Sequence, residues 1–298
     1  MAKENIIAFS QAHAEPEWLQ VRRQTAFDKI SELKLPLIQR VKLDRWNFGN
    51  NDITESLDSS NVPDFTNLGE NPKLIQVGTT TVFQQLSPDL ANKGVIFTDF
   101  YSALEEIPEI IEQYFGTALP FDEDKLTAYH TAYFNSAAVL YVPDNVEVNV
   151  PVEGLFYQDS DEAVPFNKHV LIIVGKHAKL SYLERFESLG KDSVKNTANI
   201  AVEVIALEGA QVKFSAIDRL GSNLTTFISR RGRLNKNAQI DWNLGVMNEG
   251  NVVADFDSDL VGEGSHAELK AVAISSGKQI QGIDTRVTNY AQHSIGHI

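Results

Sequence analysis

The sequence predicts a mainly β protein in which a helical N-terminal region precedes a repeat of half-buried strands. Two observations carry this prediction. A five-residue pattern (small or branched, any, apolar, any, apolar) opens at Val146, Ala178, Ala210, Ala238 and Ala267, with steps of 32, 32, 28 and 29 residues. A near-constant step of this size is the signature of a repeat architecture, and alternation at period two marks a strand with one buried face. Between successive openings lies a second apolar run, over 169–174, 200–207, 226–234 and 252–261, with turn residues at Gly175, Gly209, Asn237 and Gly264. Two strands and a loop per unit fit an antiparallel meander or a parallel β-helix equally well. In the second case Tyr182, Phe214 and Trp242 would stack inside the coils.

The elements ahead of the repeat follow in order. Pro16, flanked by Glu15 and Glu17, starts a helix, because proline suits the first helical position and acids suit the positive end of the dipole. Leu19, Ala26, Ile30 and Leu33 form its apolar face, and Pro36 ends it. Arg22, Arg23, Arg40, Lys42 and Arg45 make this the most basic stretch. They are read as a solvated face, with a docking surface for an acidic partner as the sharper reading. Residues 50–72 are rich in Asn, Asp, Ser and Gly and read as a polar linker. Short strands are expected over 74–77, 79–83 and 95–97. Ser102 and Glu105 fit a capping box, and Pro108 joins two helical pieces that end near Gly116. Asp122 caps a further helix with Leu126, Tyr129, His130, Tyr133 and Phe134 on its face. His130, with no second ligand one turn away, is read as a satisfied core histidine. The expected organisation is an N-terminal helical region and linker over 1–72, a connecting α/β segment over 73–136, and a β core over 137–298.

Composition narrows the function. The chain has 298 residues, 43% hydrophobic and 22% charged, as in a globular protein of one large domain or two. A net charge of −14 disfavours non-specific nucleic-acid binding, which needs a cationic face. The absence of cysteine excludes disulfides, thiolate catalysis and Cys-ligated metals within these residues. There is no 18-residue apolar run and no signal-peptide pattern, so the cytoplasm is expected.

Five features bear on possible chemistry. Gly262, Gly264 and Ala267 fit a dinucleotide fingerprint with Asp284 downstream, but the residues after them alternate instead of forming the helix that site requires, so a turn is expected. Asp255, Asp257 and Asp259 share one strand face, opposite inward Phe256 and Leu260. They fail the calcium-loop pattern, since Leu260 and His266 stand where Gly and Glu are needed. An exposed outer face is expected, with a weak cation or an acid/base pair as the alternatives. His293 and His297 would be a metal pair on a helix, but Gly296 and the alternating flank argue for strand and turn. His169 and His177 bracket an apolar strand without evident chemistry. Asn223 opens a glycosylation sequon with no secretion signal to use it.

Several stretches together resemble a known family. They are Glu15-Pro16-Glu17-Trp18-Leu19 before the Arg-rich helix, Gly94-Val95-Ile96-Phe97-Thr98-Asp99 leading to Tyr114-Phe115-Gly116-Thr117, and Ala132 to Phe134 followed by Tyr141-Val142-Pro143-Asp144-Asn145-Val146-Glu147-Val148. The β repeats and Thr285-Arg286-Val287 complete the set. The chain is similar to the SufB/SufD family of the SUF iron–sulfur cluster assembly system, and Leu43-Asp44-Arg45-Trp46-Asn47-Phe48 looks more like the SufD branch. The resemblance implies a right-handed parallel β-helix behind an N-terminal helical region. It also implies a cytoplasmic complex with a SufB-like subunit and the ATPase SufC, whose ATP hydrolysis reshapes the SufB–SufD pair so that a cluster can assemble. Members of the family run further, so the chain is expected to be a C-terminally truncated member, with the partner surfaces and the cluster-assembly histidine beyond Ile298 and an unpaired strand edge at that point. No catalytic, cofactor-binding or metal residue is assigned within 1–298, and the expected role is that of a non-catalytic scaffold. The rival expectation is a carbohydrate-active β-helix enzyme using Asp255, Asp257 and Asp259.

Overall fold

Alternating apolar residues can bury one face of a strand only if something closes over that face, and here the chain closes over itself. The computed structural model describes residues 2–48, 53–55, 61–66 and 68–298. Helices α1 (Ala2–Ala12) and α2 (Glu17–Lys29) come first, then a 3₁₀ turn at Leu43–Arg45. Strands β1 (Lys73–Val77) and β2 (Thr80–Gln85), helix α3 (Pro88–Asn92), strand β3 (Ile96–Asp99) and helices α4 (Phe100–Glu106), α5 (Pro108–Tyr114) and α6 (Lys125–Tyr133) follow. The rest is strand: β4 (Ser136–Val142), β5 (Val152–Asp159), β6 (Lys168–Val174), β7 (Lys179–Leu189), β8 (Asn196–Ala206) and β9 (Gln211–Arg219). It continues through β10 (Leu224–Leu234), β11 (Gln239–Val246), β12 (Asn251–Leu260), β13 (His266–Ala273), β14 (Gln281–Asn289) and β15 (Ile295–His297).

From β4 onward, successive strands go alternately to two sheets. One sheet runs β15-β13-β11-β9-β7-β5-β1-β2 and the other β14-β12-β10-β8-β6-β4-β3. Each strand pairs in parallel with the one two places along, as in β7–β9 and β10–β12. The repeat is therefore a parallel β-solenoid of about six turns, not a meander. Among the described residues only β1–β2 and β3–β4 pair antiparallel, at the N-terminal end. Tyr182, Phe214 and Trp242 are register partners, with ring centroids 5.3 and 4.7 Å apart along the stack inside the coils. The opening at Val146 does not become a strand. Only a bridge at Glu147 forms, because Pro151 lacks the N–H to continue a ladder and β5 starts after it.

One corner of each turn requires a left-handed backbone. Asn145, His177, Gly209, Asn237, Gly264 and His293 have φ of 61°, 56°, 68°, 55°, 69° and 58°. The N–H groups of the first five donate to carbonyls of the next coil, those of Lys176, Glu208, Lys236, Glu263 and Gln292. Gly, Asn and His are the residue types that tolerate this region best.

The two sheets differ on their outer faces. The strands β7, β9 and β11 alternate buried and accessible residues, whereas every residue of β8 is buried. The N-terminal region explains the difference, since it lies on the outside of the β8 sheet. Leu19, Phe100, Ile111, Phe115 and Phe134 pack on Val139, Leu171, Ile173 and Ile205, while Ile38, Leu43 and Leu126 pack on Phe227 and Val253.

Several local expectations are corrected. α1 went unread in the sequence, and its Ile6 and Phe9 are buried. α2 ends at Lys29, well before Pro36. The cap of α4 is Asp99, whose carboxylate accepts from the Tyr101 and Ser102 amides, in place of Ser102 itself. Asp124, paired in a capping box with Thr127, caps α6 in place of Asp122. The basic stretch is not simply a solvated face. Arg23 is fully buried, bound to the Glu15 carboxylate and donating to the Phe134 carbonyl at 2.8 Å. Arg22 folds onto the Phe115 carbonyl. Residues 50–52, 56–60 and 67 of the expected linker lie outside the described residues.

Candidate functional site

A network of ion pairs lies in the seam between the N-terminal region and the solenoid. On β8, β10, β12 and β14 the outward side chains fall into rows. In one row Glu203, Arg231, Asp257 and Arg286 are consecutive register partners, so the signs alternate from coil to coil. Glu123, from the loop before α6, closes the row from above with a bidentate pair to Arg231 at 3.0 Å on both arms. Arg231 also reaches Asp257 at 3.0 Å and Asp255 at 3.6 Å, and Arg286 bonds Asp257 directly. Glu203 accepts from the amides of Gly116, Ala118 and Leu119 at 2.7, 2.8 and 2.9 Å and so holds that loop against the sheet.

The aspartates are therefore not the exposed face that the sequence led us to expect. They do point out of the solenoid, but the loop around Glu123 covers them, and Asp257 is only 1% exposed. Burial raises the pKa of Asp255 to about 7, with repulsion from Asp257 adding to it and the Arg231 charge opposing it. Asp257 and Asp259 are also raised, again chiefly by burial. Burial works against the charge on Arg231, but its bonds to Glu123 and the charges of Glu123, Asp257 and Asp255 outweigh it and keep the guanidinium ionised. Carboxylate oxygens of Glu123, Asp255 and Asp257 lie within 4.8 Å of one another, close enough to hold a hard cation. Two guanidinium groups already occupy that space, and the arrangement reads as an ion-pair network that clamps two parts of the fold.

Two further clusters went unseen in the sequence. Inside the solenoid, Arg230 bonds Asp218 at 2.7 and 2.9 Å and Glu184 at 2.8 and 3.1 Å, all three being fully or almost fully buried. Burial raises Glu184 to about 7 against the pull of Arg230. Under α6, His130 is a buried core histidine as expected, but it has a partner 39 residues away. Its Nδ1 donates to the Asn199 carbonyl at 3.2 Å, so its Nε2 accepts from His169 Nδ1 at 3.0 Å. His169 Nε2 in turn faces Glu203 at 3.1 Å. Burial, and then the His169 charge, hold the His130 pKa well below its ordinary value. One cluster joins the two sheets across the solenoid interior and the other joins α6 to the sheet beneath it, meetings that no spacing along the chain displays.

The other candidates fall out as follows. Gly262 and Gly264 form a turn leading directly into β13, with no helix behind them. His177 and His293 are left-handed corner residues, and His297 lies on β15 with its ring against His266 of β13, not His293. Asn223 is buried, its amide bonded to the Val194 carbonyl at 2.8 Å. Among the described residues no helix is long and apolar enough to cross a membrane.

Comparison with known proteins agrees with this architecture. Residues 156–298 match the family described as the SUF system FeS cluster assembly SufBD core domain, and residues 67–153 match the SufBD protein N-terminal region. The iron–sulfur cluster assembly protein SufD of Bacillus subtilis is 34% identical over 99% of this chain and 70% of its own length. Iron–sulfur cluster assembly SufBD family proteins of Staphylococcus saprophyticus and Staphylococcus epidermidis are each 23% identical, over 98% and 94% of this chain. The chain spans 66% and 59% of the lengths of those two relatives. With both family regions in order along one solenoid, the chain belongs to the SufB/SufD family of SUF iron–sulfur cluster assembly proteins, on its SufD side.

Proposed function

We propose that this chain acts as a non-catalytic scaffold in the SUF iron–sulfur cluster assembly complex, in the cytoplasm, alongside a SufB-like subunit and a SufC-like ATPase. The observation that carries the reading is the match of both SufBD regions, in order, to a parallel β-solenoid and the region that precedes and covers it. In this role the cluster is cargo of the whole complex and ATP belongs to the ATPase partner, and this chain supplies a rigid surface and no cofactor site for either. The acids at Asp255, Asp257 and Asp259 support the scaffold over a carbohydrate-active enzyme, because Asp257 is held by two arginines and is closed to a substrate.

Affinity co-purification tests the proposal. The protein is expected to retain SufB-like and SufC-like subunits, and retention of neither would contradict the reading. Oligouronide cleavage that disappears in a D255N/D257N/D259N variant would overturn the scaffold reading.

A further inference from the structure

The outer face of the β13–β15 sheet carries a second histidine pair that the sequence does not display. His266, Glu268 and Lys270 project outward from β13, alternating with the buried Ala267 and Leu269. β15 pairs with β13 in parallel, placing Ile295 beside His266 and His297 beside Glu268. The rings of His266 and His297 meet across the strands with centroids 5.6 Å apart and planes at 87°. His266 Nε2 is shielded from solvent and has no hydrogen-bond partner among the described residues.

This spacing has a chemical reading. Two imidazoles bound to one ion through nitrogens at about 2.0–2.1 Å, with a near-tetrahedral angle between them, hold their ring centroids roughly 5–5.5 Å apart. The observed separation is close to that value, and the perpendicular planes show that the rings are not stacked. Because His297 is exposed, its ring can turn about its χ angles to bring a nitrogen toward the point that His266 Nε2 faces. Glu268, the register partner of His297, puts a carboxylate beside the pair, at present held by Lys270 at 2.7 Å. An arriving cation would displace that ammonium.

We propose that His266, His297 and Glu268 form a surface site for a borderline divalent transition-metal ion, bound by two imidazoles and one carboxylate with the remaining position open to water. This donor set selects against magnesium and calcium, which take oxygen ligands, and favours ions such as zinc or ferrous iron. The site lies on the bare sheet, away from the charged seam, and does not depend on the scaffold reading.

Calorimetric titration of the tag-free full chain with Zn²⁺, together with the visible spectrum of the Co²⁺ form, tests it. One ion per chain with a tetrahedral Co²⁺ spectrum is expected. H266A and H297A should each weaken binding by at least about tenfold, the scale on which even supporting residues of metal sites act. E268Q should weaken it less, and H293A should leave it unchanged, which separates the cross-strand pair from the pair four residues apart in sequence. All three side chains are on the surface, so far-UV circular dichroism should show the variants folded. Equal Zn²⁺ binding by the wild type and an H266A/H297A double variant, or no binding at micromolar Zn²⁺, would overturn the proposal.

Discussion

Arg230 occupies an inward position of β10, in line with Ile228 and Leu234, and its surroundings include the Phe186, Phe214 and Phe256 rings. A guanidinium survives there because Asp218 and Glu184 meet it from two neighbouring coils of the opposite sheet. Removing one member of such a cluster leaves buried charge without compensation, so Arg230→Met is expected to cost about 3–5 kcal/mol in urea unfolding. Replacing all three residues by apolar ones of similar volume should cost far less, since desolvation offsets most of what the ions contribute. Glu184 also makes stability depend on pH. Its folded pKa of about 7 lies above the ordinary value of 4.5, so between these values the folded chain holds a proton that the unfolded chain releases. Stability therefore falls as pH rises from about 4.5 through about 7. Asp255 acts in the same direction and over an overlapping range. E184Q should reduce the difference between melts at pH 5 and pH 8, and E184Q/D255N should reduce it further.

At the scale of elements, the turns and the seam loop are where single atoms decide. A Cβ on Gly262 would fall inside van der Waals contact with the backbone of Asn235 and Lys236 in the coil beneath. A Cβ on Gly277 meets nothing within 4 Å and suffers only its φ of +61°. Gly262→Ala is thus expected to destabilise by several kcal/mol, and Gly277→Ala by roughly 1 kcal/mol, the ordinary cost of a left-handed non-glycine residue. Parallel thermal melts would compare them. Glu203 secures the 116–119 loop through three amides, so Glu203→Gln should cost about 1.5–3 kcal/mol. The amides of Gly116, Ala118 and Leu119 should then exchange hydrogen faster, while those of β10 keep their protection. Much at this scale was legible in the sequence: the strands of the repeat, the apolar runs between them and the corners at Gly209, Asn237 and Gly264, whereas His177, not Gly175, takes the left-handed corner of its coil. Helix caps were less so, because Asp99 and Ser102, or Asp122 and Asp124, are equally good acceptors, and only the chain path selects between them.

For the whole molecule, the N-terminal region is a cover as much as a domain. It buries β6 and β8 on both faces and β4 and β10 nearly so, while the outer faces of β7, β9 and β11 stay accessible. Deleting residues 1–48 should expose Phe134, Ile173, Phe227 and Val253 together. The expected outcome is increased binding of a hydrophobic dye and self-association in gel filtration, without loss of the β-rich circular dichroism signal. The candidate site was the least legible part. Asp255, Asp257 and Asp259 were visible as a row, but Arg231, Arg286 and Glu123, which give the row its meaning, come from three other segments. His130, with no ligand one turn away, was rightly read as a core residue, yet its partner His169 lies on a strand that covers it from another part of the chain.

The sequence by itself determined the local periodicities: which residues alternate, where the backbone must turn, and that a repeating β unit follows a helical region. These are set by steric preferences and apolar spacing within a few residues, and resemblance to the SufB/SufD family extended them to a β-helix. Only the tertiary structure decided which outward residues meet. In a parallel solenoid each side chain is stacked on residues about thirty positions away, and a covering helix adds partners more distant still. Charge pairing at 3 Å falls off too steeply with distance to be inferred from composition, so the seam, the interior arginine and the cross-strand histidines emerged only when the coils were laid in register.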